Sequence, residues 1–167
     1  MSEHLFKRIR PLEAEIVQEA IRQRPVKVGA LAQSLGLRVT RSSGLKPTIS
    51  GLIRPASDTP SGYEILVNKY EVPERQRFTV AHEISHYLLH RDDIGAGVVD
   101  SVMYRSSLSS RKETEANQLA AAIIMPAAAV TREMNELGSP EDAAVVQELA
   151  ELFRVSVPAM KIRLGVA

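Results

Sequence analysis

The sequence predicts an α+β fold, and three observations carry that reading. Three short extended segments, at about 37–41, 48–53 and 63–68, are separated by Ser-Gly and Pro-rich turns. A run with helical spacing follows from about Pro73 to Leu89, and a second, alanine-rich one runs from the serines at 109–110 to just before Pro126. Beyond Pro126 the pattern is helical. The expectation is a small antiparallel sheet, a central helix pair and a C-terminal helical tail, divided as residues 1–138 and 139–167.

Each element has a local cause. Pro11 to Arg24 reads as an amphipathic helix with Leu12, Ile16, Ala20 and Ile21 on its apolar face. Val28 to Leu35 reads as a short helix closed by Gly36 at C′. The last extended segment, Tyr63 to Asn68, leads towards the helix opened by Val72-Pro73-Glu74. In that helix Phe78, Ala81, Ile84 and Leu88 make a core face, with His82 and His86 on its flank. The alanine-rich helix starts at the serines 109–110 and stops before Pro126. Between the two, residues 92–110 are rich in Asp, Gly and Ser. They form either a flexible connection or a cleft rim, and within them Tyr104 and Arg105 are the residues suited to stabilising an oxyanion.

Ser139-Pro140-Glu141-Asp142 predicts a helix start with serine at the N-cap, and that helix ends near Phe153. Ser156 then caps a shorter helix containing Met160, Ile162 and Leu164. The pair is helix-turn-helix-like, with Arg154 near the place of the usual turn glycine. Its second helix offers only Lys161 and Arg163 as basic contacts, which favours packing or substrate gripping over DNA binding.

The chemistry lies in His82-Glu83-Ile84-Ser85-His86, an H-E-x-x-H motif that arises by chance in roughly one chain of this length per few hundred. Residues four apart on a helix lie about 40° apart around the axis and about 6 Å along it. His82 and His86 therefore project from one face and can converge on one metal ion, while Glu83 is placed beside them as a general base. A small antiparallel sheet next to such a helix is the zincin arrangement, and its edge strand can pair with an extended backbone.

A third ligand is needed. His90 continues the series but lies about 12 Å along the axis from His82. It suits the helix C-terminus better, where a partly charged imidazole meets the macrodipole. Glu113 and Asn117 share a face of the second helix, and alanines 120 and 121 permit close approach to the first. Glu113 can supply the ligand while Asn117 orients one. Glu115 lies about 200° round from Glu113, so both cannot serve.

The stretches Arg77–His90 and Glu113–Pro126 together resemble the ImmA/IrrE metallopeptidases, and the resemblance spans roughly residues 25 to 130. It implies that His82, His86 and Glu113 bind the metal and that Glu83 is the general base. It also implies a protein substrate, since known members cut transcriptional repressors related to phage repressors and so release stress-response or mobile-element genes. Radiation-response members carry a further C-terminal sensory domain, for which this chain is too short. Zinc is favoured by two imidazoles and a carboxylate, with manganese or iron also accepted.

Composition narrows the setting. Hydrophobic residues at 44% and charged residues at 25% of 167 indicate a globular chain with a substantial core. With no cysteine, neither disulfides nor thiolate metal ligands are available. No signal peptide or membrane-length apolar stretch is visible, which makes the cytoplasm the expected compartment. A net charge of +1, with no Trp and only three Phe and four Tyr, gives no reason to invoke nucleic acid. The rival to a peptidase is a non-proteolytic interaction module in a toxin–antitoxin or repressor pair, holding the metal structurally. Such a site would be closed to solvent and would need no Glu83.

Overall fold

The structure, a computed structural model, describes residues 3–94 and 110–166. The chain opens with α1 (Glu3–Phe6), which the sequence reading does not anticipate, and α2 (Pro11–Ala20). Helix α2 stops short of the expected Arg24. Pro25 disfavours helical backbone at the residue before it, and residues 21–25 turn instead towards α3 (Val28–Ser34). Gly36 follows α3 with φ 79°, the left-handed conformation a helix C-terminus favours.

Strands β1 (Arg38–Ser42), β2 (Gly51–Pro55) and β3 (Tyr63–Asn68) form one sheet in the order β1-β3-β2. The sheet is mixed, not antiparallel as expected. Successive strands do reverse direction, but β3 inserts between its predecessors. It pairs antiparallel with β2, Ile53 facing Ile65, and parallel with β1, Val39 facing Ile65. The central place suits β3, in which Glu64, Ile65, Val67 and Asn68 are buried on both faces. Gly51 lets β2 lie close under the next helix: a Cβ there would stand 2.5 Å from Thr79 Cγ2 and 2.6 Å from the Leu66 carbonyl oxygen.

Helix α4 (Pro73–Leu89) starts and ends where the sequence places it, with Pro73 in the first turn. It packs against β2, β3, α3 and α5 (Ser110–Ile124). Residues 79 to 88 are all buried, so His82 and His86 sit inside the core and not on a flank of it. Helix α5 packs against α4 and covers them, and its Ala116, Leu119, Ala120 and Ile123 are all fully buried. Each fully buried Leu or Ile contributes about 1.5–3 kcal/mol.

Helices α6 (Ala127–Leu137), α7 (Ala143–Phe153) and α8 (Val157–Leu164) complete the fold. The N-cap of α7 is Asp142, whose carboxylate accepts from the Ala144 N–H at 2.9 Å. Ser139 was expected there; its hydroxyl instead accepts from the Glu141 N–H and closes a preceding turn around Pro140. Ser156 caps α8 as expected. Leu149, Phe153 and Met160 belong to the same hydrophobic cluster as Ile65 and Ile84. Arg77 of α4 donates to the carbonyls of Val26, Phe153 and Arg154. Arg163 of α8 donates to that of Met125 at 2.9 Å.

Candidate metal centre

Helix phase brings the two histidines together as expected: His82 Nε2 and His86 Nε2 are 3.1 Å apart. The Glu113 carboxylate, reaching in from the first turn of α5, lies 3.2 Å from the first and 3.1 Å from the second. Potential ligand atoms of all three residues fall within 4.8 Å of one another. Glu115 is not in this cluster, and its carboxylate lies 3.0 Å from His90 Nε2 instead.

The partners of the histidines decide which nitrogens face the cluster. His82 Nδ1 is 2.8 Å from Asn117 Oδ1, an acceptor, so that Nδ1 carries the proton. His90 Nε2 is 3.0 Å from Glu115 Oε1, also an acceptor. Burial lowers the His90 pKa, against the opposing effect of Glu115, and in the singly protonated ring the proton sits on Nε2, facing that acceptor. Its Nδ1 must then accept, and the group 2.9 Å away is His86 Nδ1, which donates. Both remaining Nε2 atoms therefore present lone pairs to each other and to a carboxylate. Three electron-pair donors crowded without a proton between them suit a cation.

Glu83 is 1% exposed, and neither of its carboxyl oxygens has a hydrogen-bond partner among the described residues. An unpartnered buried carboxylate is costly to keep for stability alone, by about 1–3 kcal/mol or more. The side of the cluster at His82 and Asn117 opens into a groove of about 870 Å³ that runs past Phe78 and Thr79 to the turn between α7 and α8.

Sequence reasoning undervalued two residues. It set Glu115 aside, and it placed His90 correctly at the C-cap of α4 without anticipating that both side chains are buried behind His86. The signal was present in the regular four-residue spacing of His82, His86 and His90, which stacks neighbouring imidazoles on one stripe. Nothing in the sequence pointed to Arg8, whose guanidinium hydrogen-bonds Glu115. Tyr104 and Arg105, and most of the 92–110 rim, lie outside the described residues.

Over residues 32–165 the sequence matches the family described as Peptidase M78, IrrE N-terminal-like domain. It is 39% identical over 103 residues to the radiation response metalloprotease IrrE of Deinococcus radiodurans, covering 62% of this chain and 31% of that protein. The protein of the same name from Deinococcus deserti is 39% identical over 101 residues, covering 60% and 34%. The chain thus spans about a third of the length of these curated relatives. The fold resembles that of a Mycobacterium tuberculosis transcriptional regulator, with a TM-score of 0.61 and 18% identity over 99% of this chain and 50% of that one.

Proposed function

This chain belongs to the Peptidase M78 family of IrrE N-terminal-like domains, and from that membership we propose that it is a metal-dependent endopeptidase. The observation that carries the reading is the convergence of His82, His86 and Glu113 beside Glu83, a buried carboxylate with no hydrogen-bond partner among the described residues. The first three residues would hold the ion, with zinc favoured by their chemistry and manganese or iron accepted. A bound divalent ion would supply Lewis-acid polarisation of a peptide carbonyl.

The rest of the chemistry falls to the chain. Glu83, without a hydrogen-bond partner among the described residues, takes a proton from the attacking water and returns it to the leaving amine. Burial keeps bulk water from Glu83, and the groove at His82 and Asn117 admits an extended segment of substrate. That opening supports an enzyme over a closed structural site. The mixed sheet beside α4 fits a zincin-like core, with residues 1–138 as its catalytic part and 139–167 as a helical pair lining the groove.

The substrate in this reading is a helix-turn-helix transcriptional repressor, as the ImmA/IrrE resemblance implies, with release of stress-response or mobile-element genes as the outcome. Such a substrate sets the reaction in the cytoplasm. Among the described residues no helix is long and apolar enough to cross a membrane.

The test separates base from ligands. Glu83→Gln should retain bound metal yet cut a repressor substrate roughly 10²-fold more slowly or worse. His82→Ala should lose the metal as well. Wild-type cleavage by Glu83→Gln would end the catalytic reading.

A further inference from the structure

We infer that Arg8, Glu115 and His90 form a positioning relay that fixes the aim and tautomer of His86, so that the N-terminal helical segment helps to hold the metal. The inference rests on the proposed role of His82, His86 and Glu113.

Each link has a direction. Arg8 can only donate, and its guanidinium hydrogen-bonds both carboxylate oxygens of Glu115. Glu115 can then only accept, at 3.0 Å, from His90 Nε2. That leaves His90 Nδ1 as an acceptor for His86 Nδ1 at 2.9 Å, and His86 Nε2 as a lone pair 3.1 Å from the Glu113 carboxylate. Without Glu115, His90 is free to carry its proton on Nδ1. Two N–H groups would then face each other, or His86 would shift its own proton to Nε2 and block its lone pair. Little water can repair the break, since His86, His90 and Glu115 are only 1%, 3% and 9% exposed.

Arg8 is held in place on both sides. Leu5 and Ile9, at 0% and 5% exposure, anchor the segment that carries it, and α1 packs on α5. This segment precedes residues 32–165, the stretch matched by the family, so the relay brings a part of the chain outside that match to the metal centre. A purely structural Arg8–Glu115 pair would tie α1 to α5 but leave the metal indifferent.

The experiment measures Zn²⁺ affinity of the full chain by competition with a chromophoric chelator. It also records the visible spectrum of the Co²⁺ form, with circular dichroism of the metal-free protein to confirm folding. Glu115→Ala and His90→Phe should weaken Zn²⁺ binding roughly 10- to 100-fold and shift the Co²⁺ bands. Glu115→Gln, which still offers His90 an acceptor oxygen, should lose less. Arg8→Ala should weaken binding and Arg8→Lys should restore part of the loss. Arg111, 3.9 Å from Glu115 with its side chain 83% exposed, is the control: Arg111→Ala should stay within about twofold of wild type. The Arg8 variants alter a side chain that is 40% exposed, so they test the relay even where Glu115→Ala does not fold.

Wild-type Zn²⁺ affinity and an unshifted Co²⁺ spectrum in folded Glu115→Ala, or in Arg8→Ala where Glu115→Ala does not fold, would overturn the relay. If His82→Ala lost the metal in that same series, the metal reading would survive and the relay alone would fall. A wild-type chain that bound no metal would overturn both.

Discussion

Asn117 Oδ1 lies 2.8 Å from His82 Nδ1, across the contact between α4 and α5. Asn117 is one turn beyond Glu113, so a single face of α5 brings a carboxylate to one side of the imidazole and an amide oxygen to the other. Asn117→Ala should free the ring to rotate and to change tautomer, weakening metal binding roughly tenfold or more. Asn117→Asp keeps an acceptor at the same place and should stay near wild type. Equilibrium dialysis of the two variants checks this; equal affinities for Asn117→Ala and wild type would remove the orienting role.

Glu83 should lower stability in the metal-free protein. Both of its oxygens lack hydrogen-bond partners among the described residues, and α4 buries it in the core. Replacing it with a side chain of similar length and no polar group removes that penalty. Glu83→Met should raise the unfolding free energy of the metal-free chain by about 1–3 kcal/mol while abolishing cleavage. Urea titration followed by circular dichroism measures the first, and a lower midpoint than wild type would contradict it.

Glu64 gives the fold a pH dependence remote from the candidate metal centre. It accepts from Arg38 Nε at 3.0 Å and from Arg54 Nε at 2.7 Å. Burial works to raise its carboxyl, but the hydrogen bonds from the two arginines outweigh it and set the pKa below the ordinary 4.5. A carboxylate depressed in the folded state stabilises above its unfolded pKa, and the gain is lost as pH falls through the folded value. Glu64→Gln should therefore be less stable than wild type at neutral pH, with the gap closing as pH drops below 4.5. Thermal melts at stepped pH would show this, and a gap that stayed constant would count against it.

Arg154 ends α7 in the left-handed conformation, at φ 52° and ψ 51°. A side chain there costs roughly 1–2 kcal/mol, part of which glycine would give back through its freer unfolded chain. Arg154→Gly should therefore stabilise the protein by about 0.5–1 kcal/mol, since the Arg154 carbonyl that Arg77 binds is retained. A lower melting temperature would mean that the lost side chain outweighs the relieved backbone.

Helix α4 was readable to the residue because Pro73 marks its start and its apolar positions keep helical spacing. Glu113 and Asn117 were readable for a related reason: two polar residues four apart on an alanine-rich helix fix which face turns inward. Sheet order was not, because alternating strand directions are compatible with β3 at the edge or in the middle. That choice depends on burial of both its faces. The depth of His82 and His86 was hidden too, since the residues that cover them come from α5 and the sheet. Arg8 was hidden most completely: its contact with Glu115 bridges 107 positions of sequence and leaves no local pattern.

Arg77 gathers three distant parts of the chain on one side chain. Its guanidinium bridges Val26, ahead of α3, to Phe153 and Arg154 at the end of α7, from a position five residues before His82. Assembly of the centre is thereby made conditional on both flanks of the sequence having arrived. A chain still emerging from the ribosome would hold its H-E-x-x-H helix without the carbonyls that brace it. On the proposed function, competence to cut would then come only once the carbonyls of Val26, Phe153 and Arg154 have reached Arg77.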